Sequence, residues 1–201
     1  MYTEGQDGLL HIKFSHTRMV ANEFWGRPNS KSPWSFWKVN TLLGRKAITA
    51  GWKAKSLPPF CPVYELMLNL TLPASIVDGF RLYSGRENLD IWVNAIQSVD
   101  DVRIVSTQVL ENLCSGLWVV QLRRECASKR DIPLENIILF NCDCLYLRQL
   151  KYAIKQGDVG AVLDIIMQIV LAFRGTGKTP KYADALFFML IRLKKMDPLV
   201  W

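Results

Sequence analysis

The sequence predicts a mostly α fold, an irregular multi-helix bundle or array with little or no sheet. Three observations predict it. Apolar residues recur at helical spacing through most of the chain, as at Val102, Val105, Val109, Leu110 and Leu113. Capping residues and prolines punctuate these runs at helix-length intervals, as at Gly157-Asp158 and Pro180. Strand signals are few: VYELMLNLTL, Val63 to Leu72, alternates only in part and is the main strand candidate.

Taken in order, residues 1–8 are polar and are expected to form a disordered tail. Leu10, Phe14, Met19 and Phe24 mark a loose helical rhythm up to Trp25. GRPNSKSPW is a loop, because glycine, two prolines and small polar residues crowd nine positions. A helix starts after Ser35, whose hydroxyl can cap it; Gly44 and Gly51 weaken it and Pro58-Pro59 ends it. Pro73 fits the first turn of a helix to Tyr83, with Gly85 just past its end. Asn88 to Gln97 is the next helix. Asp100 and Asp101 place negative charge at the start of another, where the helix dipole favours it. Ser115-Gly116 breaks or kinks that segment, and LWVVQLRRECASKR follows.

The C-terminal third is the most regular. LYLRQLKYAIKQ is amphipathic, Gly157-Asp158 pairs a C-cap with an N-cap, and VGAVLDIIMQIVLAF returns. RGTGKTP is a turn capped by Thr179, and KYADALFFMLIRLKK is the last helix. The expected organisation is one helical domain over 9–201, with a basic tryptophan-rich part at 24–64, a helical part at 73–130 and a three-helix part at 133–197.

With 201 residues, half of them apolar and 21% charged, the chain is globular in composition and long enough for a sizeable core. The N-terminus lacks an apolar signal region, and VGAVLDIIMQIVLAF carries Asp164 and Gln168 and is short for a bilayer span. A soluble intracellular protein with no membrane partner is expected. The five cysteines, an odd number, read as free thiols, and Cys114, Cys126, Cys142 and Cys144 show no paired metal-binding spacing. No metal or other cofactor is expected.

The placement of charge is the most informative feature. Between Glu23 and Glu65 there is no acidic residue, yet this window holds Arg27, Lys31, Lys38, Arg45, Lys46, Lys53 and Lys55. These seven charges equal the net charge of +7, while the remaining 18 basic and 18 acidic residues cancel. Four of the seven tryptophans, Trp25, Trp34, Trp37 and Trp52, share the window. Basic residues interleaved with aromatics suit a polyanion, through phosphate contacts and base stacking. The same composition also fits buried tryptophans beneath a solvated basic face. Arg174, Lys178 and Lys181 form a second basic group.

Ala172 to Thr179 reads A-x-x-x-x-G-K-T, one residue from a phosphate-binding loop. Such a loop needs a strand before it and a helix opening directly at its Lys-Thr pair. Here the preceding segment reads as a helix, and Pro180 places the next helix later. The stretch therefore reads as an inter-helix turn. His11 and His16 could serve as acid–base groups, but no serine or cysteine lies in a nucleophile pattern and no carboxylate pair stands out. No catalytic residue is assigned, and the chain alone reads as non-enzymatic.

The runs LLHIKFSHTRMVANEFWGRPNSKSPWSFWKVNTLLGRKAITAGWKAKSLPPF and ENIILFNCDCLYLRQLKYAIKQGDVGAVLDIIMQIVLAFRGTGKTPKYADALF resemble a fungal family known as domain of unknown function 6589. RKAITAGWKAK and FRGTGKTPKYADALF are the most distinctive parts, and His11 matches the family's histidine in LLHIKF. The resemblance implies an origin in mushroom-forming fungi and an expansion like that of mobile-element genes. It also implies that fuller members carry an acidic, RNase H-like region upstream and further sequence downstream. On that basis the chain would be a central helical segment of a transposase-like protein, nuclear if so and otherwise cytoplasmic, with the flanking segments or another protein as partners.

Three functions follow as expectations. The first is DNA binding through the basic, tryptophan-rich surface. The second is a helical protein-interaction module with no nucleic-acid role. The third is nucleotide binding at residues 172–179.

Overall fold

The computed structural model describes residues 8–26, 35–46, 59–86, 88–126, 128–177 and 179–195. All regular structure among them is helical, as the sequence predicts: α1 (Leu9–Phe24), α2 (Phe36–Leu42), α3 (Phe60–Glu65), a π-helical turn (Leu66–Thr71), α4 (Leu72–Ser84), α5 (Leu89–Ala95), α6 (Val99–Leu113), α7 (Gly116–Leu122), α8 (Ile132–Gln156), α9 (Val159–Thr176) and α10 (Pro180–Lys195). The described residues of Met1–Glu23, Ile48–Val63 and Tyr146–Trp201 cluster into one compact unit, and those of Phe24–Ala47 and Tyr64–Leu145 into a second.

The second unit is built on local caps and an aromatic cluster. Ser35 opens α2 by accepting from the Lys38 amide at 3.3 Å, and Asn88 opens α5 by accepting from the Asp90 amide at 2.8 Å. Ser98 and Asp101 form a reciprocal capping box at the start of α6. Phe36 is fully buried, its ring 5.2 Å from that of Phe140, which also meets Phe24 at 5.6 Å. Edge-to-face rings at these separations add to the ordinary gain from burial. α4 packs on α6. Gly79 makes the approach possible: a Cβ there would lie 2.8 Å from Leu113 Cδ1 and 3.2 Å from Val109 Cγ1. Asn141, fully buried, donates from Nδ2 to the Leu113 carbonyl at 3.0 Å and so satisfies an orphan acceptor at the end of α6.

The strand expected at Val63 to Leu72 is not formed; the segment is the end of α3, the π-helical turn and the start of α4. Its apparent alternation is not an alternation of environment, because the consecutive residues Leu66, Met67 and Leu68 are all buried. Leucine and methionine are strong helix formers, and tertiary burial on more than one face favours a helix over a half-exposed strand. Pro73 lacks the amide that would bond four residues back. The helix widens just before it, and the Thr71 hydroxyl donates to the Leu66 carbonyl at 2.8 Å.

In the first unit, α9 lies against α10. The turn between α8 and α9 matches its sequence signals: Gly157 has a φ of 70°, and the Asp158 carboxylate accepts from the Ala161 amide at 2.9 Å. Ile12, Met19, Leu147, Leu150, Ile166, Ile169 and Phe173 are buried to 1% exposure or less. Each such side chain contributes about 1.5–3 kcal/mol of transfer free energy. α9 and the continuous helix Phe60–Ser84 are long and apolar enough, by length and composition alone, to cross a membrane. α9 is thus longer than its apolar run indicates; here Val162, Ile165, Ile166, Ile169, Val170 and Phe173 are buried within the structure.

Candidate functional site

The basic window is described in part. Arg27, Lys31, Lys53, Lys55 and Lys178 lie outside the described residues. Lys38 sits half-buried on α2, and Lys46 is exposed just beyond it. Neither forms an ion pair among the described residues. Lys46 is anchored through its backbone, since its carbonyl accepts from Asn40 Nδ2 at 3.2 Å. Arg45 is committed: its Nη2 donates to Glu65 Oε2 at 2.7 Å. Trp25 and Trp37 are half-buried, with the Trp37 amide donating to the Trp25 carbonyl at 2.9 Å and the Trp25 ring 6.4 Å from Phe36. Trp25 therefore extends the aromatic cluster of the second unit, while Lys38 and Lys46 meet no counter-charge among the described residues.

The second basic group belongs to the first unit. Arg174, on the last turn of α9, is ion-paired with Asp184 on α10 and helps to hold the helix pair together. Lys181 is exposed on the first turn of α10.

The phosphate-loop resemblance fails on geometry. Ala172 to Thr176 are the last turn of α9, and the Thr176 hydroxyl bonds back to the Ala172 carbonyl at 3.1 Å. Their amides are spent inside the helix rather than turned toward a ligand. Gly177, at a φ of 64°, takes the left-handed cap, and its amide donates to the Phe173 carbonyl at 3.2 Å. Pro180 then opens α10. The Thr179 carbonyl accepts the first intrahelical bond of α10, from the Ala183 amide at 3.1 Å. The Thr179 hydroxyl has no partner among the described residues.

His16 is not set up for proton transfer in the way the sequence allows. His16 is fully buried, with both ring nitrogens unpartnered among the described residues and its ring 6.0 Å from Phe173. Burial pushes its pKa down to about 3, so it stays neutral. His11 is exposed on the same helix. Cys144 is buried and its thiol is raised well above the ordinary value, first by burial. Burial and the neighbouring Cys142 raise Cys114 to about 12. Both remain protonated thiols, the state in which cysteine is neither nucleophile nor metal ligand. Among the described residues, no group of three or more His, Cys, Asp or Glu side chains is arranged to hold a metal ion.

The first unit contains a cavity that sequence reading missed. His11, Phe14, Ser15 and Arg18 recur at i, i+3, i+4 and i+7 and so share one face of α1, with Thr17 beside them. Phe60 and Val63 come from α3, and Thr179 and Tyr182 from the start of α10. Together they line a partly open pocket of about 370 Å³. The rings of Phe14 and Phe60 meet edge to face, 4.2 Å apart. The one sequence signal was the mixed face of α1, which sets His11, Ser15 and Arg18 beside Phe14 where a plain core helix would be uniformly apolar.

No significant match is found among curated proteins or among solved structures. The sequence profile described as "Family of unknown function (DUF6589)" matches residues 4–199. The match covers nearly the whole chain and takes in both the histidine face of α1 and the turn before α10; the chain belongs to this family of unknown function.

Proposed function

We propose that this chain is a non-catalytic helical module of a transposase-like fungal protein that binds DNA through the basic segment between Glu23 and Glu65. The observation that carries the reading is the confinement of the whole net charge of +7 to a window without a single acidic residue. Lysines in such a window neutralise phosphates and release counterions, giving affinity with little demand for sequence. Within it, Lys38 and Lys46 are available, whereas Arg45 is held by Glu65. The transposase relation rests on the family resemblance of the two long runs quoted above.

The test is fluorescence anisotropy of the purified chain with labelled duplex and single-stranded DNA across a salt series. Binding should weaken steeply with salt, by roughly 0.9 log units of affinity per log unit of salt for each phosphate neutralised. Triple reversal of Lys46, Lys53 and Lys55 to glutamate should abolish it. Failure of a folded, monodisperse sample to bind at low salt sinks the reading.

A second reading, a protein-interaction module, is favoured by the exposed apolar residues of the α9–α10 pair. Leu171, Phe187 and Phe188 are 60%, 46% and 63% exposed. Clustered exposed apolar side chains of this size mark contact surfaces. Sedimentation of the wild type against Leu171→Gln/Phe188→Gln distinguishes it: only an interaction face loses association on that change.

A further inference from the structure

We infer that the cavity between α1, the start of α3 and the start of α10 is a binding site for a small organic anion, a ring-bearing apolar body that carries a carboxylate. All its lining residues belong to the first unit, so the inference stands apart from the DNA reading.

Size is the first argument. Protein interiors are close-packed, and voids larger than a water molecule are few. The pocket here is partly open to solvent and holds about 370 Å³. It falls at the small end of the range for ligand sites, roughly 300–1,000 Å³. An engineered apolar cavity of about 150 Å³ accepts one benzene ring. The space here suits a body of one to two rings with a head group.

The lining sets the chemistry. Phe14, Phe60, Val63 and the ring of Tyr182 supply apolar and aromatic walls, which select a flat hydrophobic body. Among the polar lining residues, Arg18 is the one that carries a full charge. Arg18 is half-buried and makes no ion pair or hydrogen bond to another described residue. A guanidinium held beside apolar walls without a counter-ion favours an anionic ligand, and its fork matches a carboxylate. His11 stands one helical turn further along the same face from Phe14. No acidic residue is among the lining residues, so nothing in the wall competes for Arg18.

Two threonines of the lining do not offer their hydroxyls to the cavity. Thr17 is 2% exposed, and its Oγ1 has no hydrogen-bond partner among the described residues. The Thr179 Oγ1 is in the same condition. Neither oxygen has accessible surface, so the polar contacts of a ligand fall to Arg18 and the exposed His11.

The experiment titrates the full chain with 2-naphthoate and, separately, with uncharged 2-naphthalenemethanol, followed by amide chemical shifts and calorimetry. The carboxylate should bind, shifting amides of α1 and of the Thr179–Tyr182 turn together. The alcohol should bind at least tenfold more weakly, on the order of one lost charge-assisted hydrogen bond. Arg18→Met, with helicity and Tm checked, should lower naphthoate affinity by about tenfold and leave the alcohol unchanged. Ser15→Leu, which reduces the space, should lower both. Equal binding of acid and alcohol overturns the anion assignment. Absence of binding by either at about 1 mM, with the wild type folded, overturns the site.

Discussion

Arg45 Nη2 donates to Glu65 Oε2 at 2.7 Å, so the first acidic residue after the basic window turns back onto a cation inside it. The arginine side chain is 26% exposed and the glutamate 53% exposed, and a pair this open is worth about 0–1 kcal/mol to the fold. Its effect on function is larger than its effect on stability. While paired, Arg45 adds no net charge toward a phosphate. Glu65→Gln should therefore strengthen DNA binding and steepen the salt dependence by about one counterion. Arg45→Gln in the wild-type background should change binding little. Anisotropy at two salt concentrations reads both. Unchanged affinity in Glu65→Gln, alongside loss on reversing Lys46, would place Arg45 off the binding face.

His16 sets an acid limit on the first unit. Its pKa in the folded protein is about 3, because burial penalises the charged ring, against about 6.5 when unfolded. The unfolded chain therefore binds a proton that the folded chain refuses. Stability is undiminished above pH 6.5 and falls as pH drops from there toward 3. At pH 5 the loss is about 2 kcal/mol. His16→Leu, which also removes two unpartnered polar atoms, should be neutral or stabilising at pH 7 and should flatten this limb. Denaturant melts at pH 7 and pH 5 read the difference. A variant that keeps the full acid limb would show that another group is responsible.

These relationships divide sharply by how far apart in sequence their partners lie. The caps at Ser35 and Asp158 were legible because Ser35 with Lys38 and Asp158 with Ala161 are three residues apart. Such bonds follow from side-chain reach and backbone geometry alone. The turn before α10 was legible for the same reason, although the Thr179 hydroxyl makes no capping bond among the described residues. Val63 to Leu72 was misread because residue type alternates there while burial does not, and burial is a tertiary property. The cavity was invisible because its walls come from around residues 11–18, 60–63 and 179–182. The Arg45–Glu65 pair was hidden likewise, since nothing local distinguishes a paired arginine from a free one.

Gly79 marks the contact of α4 with α6 and yields a graded test. A glycine inside a helix ordinarily costs about 1 kcal/mol relative to alanine. Here the added methyl would press on Leu113 Cδ1 at 2.8 Å, the flexible end of a side chain, so Gly79→Ala should lie within about 1 kcal/mol of the wild type. Gly79→Val brings branching against Val109 as well and should destabilise by about 1–3 kcal/mol. Equal midpoints for valine and glycine in urea would mean that the two helices do not touch there.

Glu135 is the electrostatic counterpart of His16 in the second unit, with the opposite origin. Arg130 holds it bidentately, from Nε to Oε1 at 2.8 Å and from Nη2 to Oε2 at 2.7 Å, and Arg123 Nε reaches Oε2 at 2.9 Å. The carboxylate is covered by these guanidiniums rather than by depth, since Arg123 remains 52% exposed. The hydrogen bonds from Arg130, then those from Arg123, pull its pKa down to about 2 from an ordinary 4.5. The folded chain holds this proton less readily than the unfolded one, so the contribution is complete above pH 4.5 and is lost as pH falls toward 2. Glu135→Gln leaves two arginines facing each other without a counter-charge and should lower Tm by several degrees at pH 7. Wild type and variant should converge as pH approaches about 2. Arg130→Met should cost more than Arg123→Met, because Arg130 makes two of the three bonds. A Tm difference between wild type and Glu135→Gln that stays constant from neutral to strongly acidic pH would mean that the carboxylate's charge contributes nothing to the fold.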